Sequence, residues 1–293
     1  MDSYQHRSTG EAALLPETRI FDIEGSDGGI WRLFVHVPPG DAPPDGWPLL
    51  VASDGNTMIG TAVDALRVQA AYPMGTDVQP GVILAIGYPG DGAYDPLRRS
   101  FDLSPPPGRS YPPFSENGPP VLTGGADRFL HFIEHEAMAF LETLAPIDPL
   151  RRTLFGHSFG GLFALYALFA GCPTFSLYVA ASPSIYWEDR LLLNGEILFA
   201  ASPPKRDLVV HLSAGEYEGE QLAPFQYDRD DTATRIDNAK TAQTLALTQA
   251  MAARLALMPR VSVTCETCPG ETHMTMLPIA LSRAVRVAFR LSG

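Results

Sequence analysis

The sequence predicts an α/β protein with a mostly parallel central sheet covered by helices on both faces, and three observations carry that expectation. Strand-like apolar runs alternate with helix-like runs along the chain, the later strand-like runs are short and apolar throughout, and a glycine-rich GHSFGG interrupts one apolar stretch at Gly156 to Gly161. The strand-like runs are Arg19 to Glu24, Trp31 to Val37, Pro48 to Ser53, Val82 to Tyr88, Thr153 to Gly156, Phe175 to Ala181, Leu208 to Leu212 and Val261 to Thr264. The first two flank the turn GSDGG and read as an antiparallel pair; the apolar later ones read as parallel strands buried on both faces.

Between the strands, Asp127 to Leu144 carries Phe129, Ile133, Phe140, Leu141 and Leu144 at helical spacing, which defines one buried stripe. His131 and His135 lie one turn apart on the opposite face beside Glu142, and with no third ligand placed they read as solvated rather than metal-binding. Leu162 to Phe169 is apolar around its whole circumference, the mark of a buried helix, and Gly171 and Pro173 end it. From Gly90 to Gly125 the chain is rich in proline and glycine without a helical or alternating period, which predicts a lid-like or substrate-rim insertion over about 90–125. Glu216 to Asp237 is a second polar stretch, rim or solvated loop.

At 293 residues, with 45% hydrophobic and 18% charged residues, the chain suits one domain over 1–293 with a sizeable core. A formal net charge of −12 and the absence of a basic run argue against nucleic acid as a partner. No run approaches the roughly 18 uninterrupted apolar residues of a membrane span, and the amino terminus lacks the basic start and apolar segment of an export signal. Three cysteines cannot all pair within one chain, so a reducing compartment, the cytoplasm, is the expectation. Cys265 and Cys268 form a lone C-x-x-C, which reads as packing rather than metal or redox chemistry.

Gly156-His157-Ser158-Phe159-Gly160 fits G-x-S-x-G between an apolar strand and a buried helix, the context in which a tight turn exposes a serine hydroxyl at a strand's carboxyl end. Ser158 is therefore the candidate nucleophile. A serine hydroxyl needs a base, and the chain order expected on this architecture is serine, acid, histidine. Of the two histidines that follow, His211 sits inside the strand-like VVHLS and reads as a satisfied core histidine, whereas His273 lies in the loop PGETHMTM and is the candidate base. Glu216 and Glu218 are the first carboxylates after DLVVHLSAG, and spacing does not separate them as the acid. His157 reads as structural. The oxyanion hole is expected from the amide of Phe159 and from SDGNTM after the third strand, with Gly55 and Asn56 as candidates.

GWPLLVASDGN, VILAIGYP followed by RRSFDLSPP, DPLRRTLFGHSFGGLFALYAL, ASPSIYW and GETHMTMLPIALSRAVRVAF, in that order, resemble the blocks of an esterase family of α/β-hydrolases, most closely its siderophore esterase branch. The resemblance implies an α/β-hydrolase fold and a serine esterase acting on the triester backbone of ferric triscatecholate siderophores, with iron entering as part of the substrate and no metal or organic cofactor. It assigns Ser158 and His273, favours Glu218 over Glu216, makes Arg99 a candidate ligand for the anionic substrate, and makes Tyr186 and Trp187 candidate aromatic wall. A chain at −12 repels such anions at long range unless Arg98, Arg99 and Arg109 form a positive mouth. Fold and triad do not fix the leaving group, so a general carboxylesterase or a thioesterase acting on formylated glutathione stays open, as does a catalytically idle ligand-binding module. YPPFSENGPPVLTGG and EGEQLAPFQYDRDD depart from the family blocks.

Overall fold

A computed structural model describes residues 14–291. In chain order the elements are β1 (Thr18–Glu24), β2 (Ile30–His36), β3 (Trp47–Ala52), α1 (Gly55–Ala70), α2 (Pro73–Thr76), β4 (Val82–Gly87), α3 (Pro96–Asp102), β5 (Ser110–Tyr111), β6 (Val121–Leu122), α4 (Ala126–Phe132), α5 (Met138–Glu142), β7 (Ile147–His157), α6 (Phe159–Phe169), β8 (Leu177–Ala181), α7 (Trp187–Arg190), α8 (Leu192–Ala201), β9 (Leu208–Gly215), α9 (Thr232–Ala242), α10 (Thr244–Leu255), β10 (Val261–Cys268) and α11 (Met276–Ala288).

Eight strands form one sheet in the order β1-β2-β4-β3-β7-β8-β9-β10. β1 pairs antiparallel with β2, and β2 antiparallel with β4; every other neighbouring pair is parallel. Every residue of β3 and β4 is buried, as the run of Val, Leu, Ile and Ala at these positions requires of strands covered on both faces. The chain leaves β3 towards β4 on one side and β7 towards β8 on the other. The carboxyl ends of β3 and β7 are therefore neighbours at a switch point of the topology, where open parallel sheets place their ligands.

Two cores flank the sheet. On one face α4, α5, α6, α8 and α10 bury residues such as Phe129, Leu141, Phe163, Leu192 and Met251 against Leu154, Tyr178 and Val210. On the other, α1 and α11 bury Met58, Val63, Leu281 and Val285 against Leu50, Ile83, Phe155 and Val179. α11 buries Met276, Leu277, Ala280, Leu281, Ala284, Val285 and Ala288, an apolar stripe repeating every three or four residues, and each large side chain removed from water contributes roughly 1.5–3 kcal/mol.

The segment expected to lack structure contains α3 and the β5–β6 hairpin. Its anchor is polar and aromatic, so no hydrophobic period announced it. Asp102 at the end of α3 is buried and accepts a hydrogen bond from Trp31 Nε1 at 3.0 Å, while the Arg98 guanidinium lies over the rings of Trp31 and Tyr88. Burial pushes the Asp102 carboxyl up from its ordinary pKa, against the pull of Arg98 and Trp31. The single helix expected over Asp127 to Leu144 is α4 and α5 joined by a π turn, Ile133–Ala137. His131 and His135 lie on its exposed side with ring centroids 4.4 Å apart. Cys265 is exposed and Cys268 buried, because residues three apart on a strand point to opposite faces; only Cys268 packs in the core.

Candidate active site

The turn after β7 holds Ser158 at φ 61° and ψ −118°, a left-handed backbone that a side chain adopts only where its surroundings enforce it. They do so here. A Cβ on Gly156 would collide with the Gly160 backbone, and one on Gly160 with Ser53 Oγ at the end of β3. The Ser158 amide donates to Ala181 O at 3.0 Å, and α6 begins at once with Phe159.

Two loops deliver the remaining groups. His273 lies between β10 and α11, and its Nε2 sits 3.0 Å from Ser158 Oγ. Glu218 lies in a short 3-10 turn after β9, and its Oε1 is 2.5 Å from His273 Nδ1. This network sets the tautomer: Nδ1–H donates to Glu218, which leaves Nε2 to accept from the serine hydroxyl. The other Glu218 oxygen accepts from Ser182 Oγ at 2.5 Å and from the Gly215 amide at 2.7 Å. Burial alone would raise the Glu218 pKa. The bonds from His273, Ser182 and Gly215 outweigh it and hold the carboxyl below its ordinary value.

Glu216 goes elsewhere: it is exposed and accepts the Gly270 amide at 2.7 Å, stapling the His273 loop from outside without touching the imidazole. His157 supports the same loop from beneath. Its Nε2–H donates to the His273 carbonyl at 2.8 Å, and burial, with His273 adjacent, pushes its pKa down to about 3, so the ring is neutral. Ser182 and this use of His157 escaped the sequence reading, since only the fold brings β8, β9 and the last loop together.

The Phe159, Gly55 and Asn56 amides all lie in the first turns of helices, where an α-helix leaves N–H groups without an internal acceptor. The Asn56 side chain is committed: its Oδ1 accepts from the Tyr88 amide at 2.9 Å, and its Nδ2 donates to Tyr88 O at 3.0 Å. Gly55 is glycine because a Cβ there would lie 2.7 Å from the Ala85 carbonyl carbon, so the constraint comes from β4 rather than from a ligand.

The three arginines are each placed beside a carboxylate. Arg99 is half-buried and forms a bidentate pair with buried Asp54, Nε to Oδ1 at 2.9 Å and Nη2 to Oδ2 at 3.0 Å. Its guanidinium also lies over the rings of Tyr94 and Phe159. Arg98 faces Asp102 at 3.6 Å, and Arg109 faces Glu188 at 3.2 Å. A mouth of three free cations is absent, because each has a carboxylate of its own. Trp187 stands with its ring centroid 4.7 Å from Phe159 and 5.5 Å from Tyr111 of the hairpin; Tyr186 is half-buried beside it. Glu188, Asp189 and Arg190 follow at φ 44°, 54° and 65°. This left-handed run turns Glu188 towards the hairpin, where it also accepts from Tyr111 Oη at 2.9 Å.

A doubly covered, mostly parallel sheet with a serine on a strained strand-to-helix turn, hydrogen-bonded to a histidine in the last loop, defines an α/β-hydrolase of the serine type. The family model described as "Putative esterase" matches residues 31–254, and the chain belongs to that family; it is a carboxylic ester hydrolase. It is 31% identical over 291 residues to the ferri-bacillibactin esterase BesA of Bacillus subtilis, covering 97% of this chain and 94% of that one. It is 32% identical to the siderophore triacetylfusarinine C esterase of Aspergillus fumigatus, covering 94% of each. Among solved structures, the siderophore hydrolase EstA from Aspergillus nidulans superposes with a TM-score of 0.82 at 29% identity, covering 97% of both chains.

Proposed function

We propose that the protein hydrolyses the ester bonds of a siderophore backbone through an acyl-enzyme, with Ser158 as nucleophile, His273 as general base and acid, and Glu218 as the group that orients the imidazole. The observation that carries this reading is the continuous chain of hydrogen bonds from Ser158 Oγ through the His273 ring to Glu218. Ser158 Oγ attacks the ester carbonyl carbon while His273 Nε2 takes its proton, and Glu218 stabilises the imidazolium. The carbonyl oxygen gains negative charge and is held by the Phe159 amide, with Gly55 or Asn56 supplying a second. Collapse breaks the ester C–O bond, and His273 returns the proton to the departing alcohol. Water, deprotonated by the same imidazole, then attacks the acyl-serine and releases the acid and Ser158.

The siderophore substrate rests on the relatives, whose names cover ferri-bacillibactin and triacetylfusarinine C. Iron belongs to that substrate; splitting a multidentate ligand removes the effective concentration that holds the metal. Tyr186, Trp187 and the 90–125 segment form the substrate rim in this reading. Arg99 acts on the ligand only indirectly, by holding Asp54 and with it the loop that opens α1. The three cysteines are free, as a protein acting in the reducing cytoplasm would keep them; no helix among the described residues is long and apolar enough to cross a membrane.

The test compares kcat/KM on ferric trilactone and ferric fusarinine-type esters with that on short acyl esters and S-formylglutathione. A preference of a hundredfold or more for a siderophore ester is expected; equal or better turnover of the small esters would move the protein to the general carboxylesterases or thioesterases.

A further inference from the structure

α11 covers the middle of one sheet face but not its far edge. Beyond it, β9 and β10 are backed by α10 on one side and lie open on the other, leaving a groove of about 760 Å³ between these strands and the carboxyl-terminal half of α11. The groove lies away from the reacting serine, since His273 precedes the amino-terminal end of α11 and the groove meets the helix at Arg283 and beyond.

Two independent features mark it. Among the described residues, Arg151, Arg283, Arg286 and Arg290 line it beside two carboxylates, Asp77 and Glu266, on a chain whose net charge is −12. Glu266 is held by Arg283 through both oxygens, at 2.8 and 2.9 Å, and Asp77 by Arg290 at 2.8 Å. Arg286 is exposed and makes no hydrogen bond or ion pair among the described residues. The second feature is His211, more than nine-tenths buried on β9. Its Nδ1 is 2.8 Å from Thr264 Oγ1, but its Nε2 has no hydrogen-bond partner, and the closest carboxylate oxygen, on Glu266, is 4.0 Å away and already engaged. The histidine expected to be a satisfied core residue is satisfied on one side only. His211 lines the groove, and the tautomer in which the Thr264 hydroxyl donates to Nδ1 leaves the proton on Nε2. A buried donor left open is costly unless a ligand completes it.

We propose that this groove binds a small amphipathic oxyanion, a carboxylate or phosphate on a short apolar body, at a site separate from the esterase centre. Arg286 and His211 Nε2–H hold the head group, and Leu177, Val209 and Val287 receive the apolar part. Guanidinium and imidazole donors together suit an oxyanion's geometry, while the exposed Val209 offers apolar surface that the fold leaves uncovered.

The experiment is NMR of the full chain with ring-¹⁵N-labelled histidine, the His211 signals assigned through His211→Gln, titrated with octanoate, octyl phosphate, inorganic phosphate and 1-octanol. The expected result is saturable movement of the His211 signals with octanoate or octyl phosphate, weakened tenfold or more in Arg286→Gln and unchanged in Ser158→Ala, with ester hydrolysis by Arg286→Gln at the native level. The tighter of the two amphiphiles identifies the head group. Unmoved His211 signals with both, an equal response to octanol or to inorganic phosphate, undiminished binding in Arg286→Gln, or loss of binding in Ser158→Ala would each overturn the proposal.

Discussion

The carboxyl ends of β7, β8 and β9 and the segment 90–125, whose Tyr111 packs against Trp187 beside Phe159, solve the same problem in different ways. At the strand ends, position comes from backbone: the left-handed turn at Ser158 and the amide of Gly215 sit where sheet pairing puts them. In segment 90–125, position comes from side chains, with Asp102 on Trp31, Arg109 and Tyr111 on Glu188, and Arg99 on Asp54. A backbone-built site tolerates little change at its centre. The Arg109–Glu188 latch, whose guanidinium is exposed, can be lost with the segment keeping its place, whereas Asp102 and Asp54 are buried and depend on their partners.

The sharpest test of that contrast is at the centre. Ser158→Ala should lower kcat about 10⁴-fold or more, with the fold intact by circular dichroism. An intact mass measurement after fluorophosphonate treatment should find one adduct on the native protein and none on this variant. Next in size is the choice between two acids two residues apart. Glu218→Gln should reduce kcat by about 10³–10⁴, as expected when the imidazole loses its orienting carboxylate. Glu216→Gln, which removes only a loop staple, should stay within about tenfold; steady-state kinetics on one ester decides between them.

Ser182→Ala tests the support beneath the acid. It removes a donor to a buried carboxylate and should lower stability by about 1–3 kcal/mol in denaturant unfolding. Its pH dependence has a definite sign. The folded-state pKa of Glu218 is depressed, so its stabilisation is fully present above the unfolded-state value and is lost as pH falls through the folded one. Losing the Ser182 bond raises that folded pKa, so the acid-side loss of stability should shrink in amplitude and be complete at a higher pH, nearer the ordinary carboxylate range. The smallest effect belongs to the rim. Glu188→Gln should change stability by about 1 kcal/mol or less and raise KM more than it lowers kcat; a larger fall in kcat would mean that the latch also shapes the reacting centre.

Much of this molecule was legible beforehand, for identifiable reasons. All eight strands of the sheet were visible as strand-like runs, β3 and β4 most plainly because burial on both faces leaves little choice of residue type there. Ser158 was visible because its turn needs glycines at fixed offsets, and those are local in sequence. α3 was not visible, since four of its seven residues are charged or polar and its anchorage is an aspartate on a tryptophan 71 positions away. Nor could spacing distinguish Glu216 from Glu218, which differ only in which way a one-turn helix points them.

By itself, then, the sequence determined the layer architecture, the nucleophile turn and the loop that carries His273, because each follows from periodicity or from backbone constraints among neighbours. The tertiary structure alone decided which carboxylate meets His273, that Ser182 and His157 brace that pair, that Arg98, Arg99 and Arg109 are each matched by an acid, and that His211 keeps one nitrogen open. These are contacts between residues far apart in the chain, and their partners are fixed only when strand order and crossing loops bring the elements together.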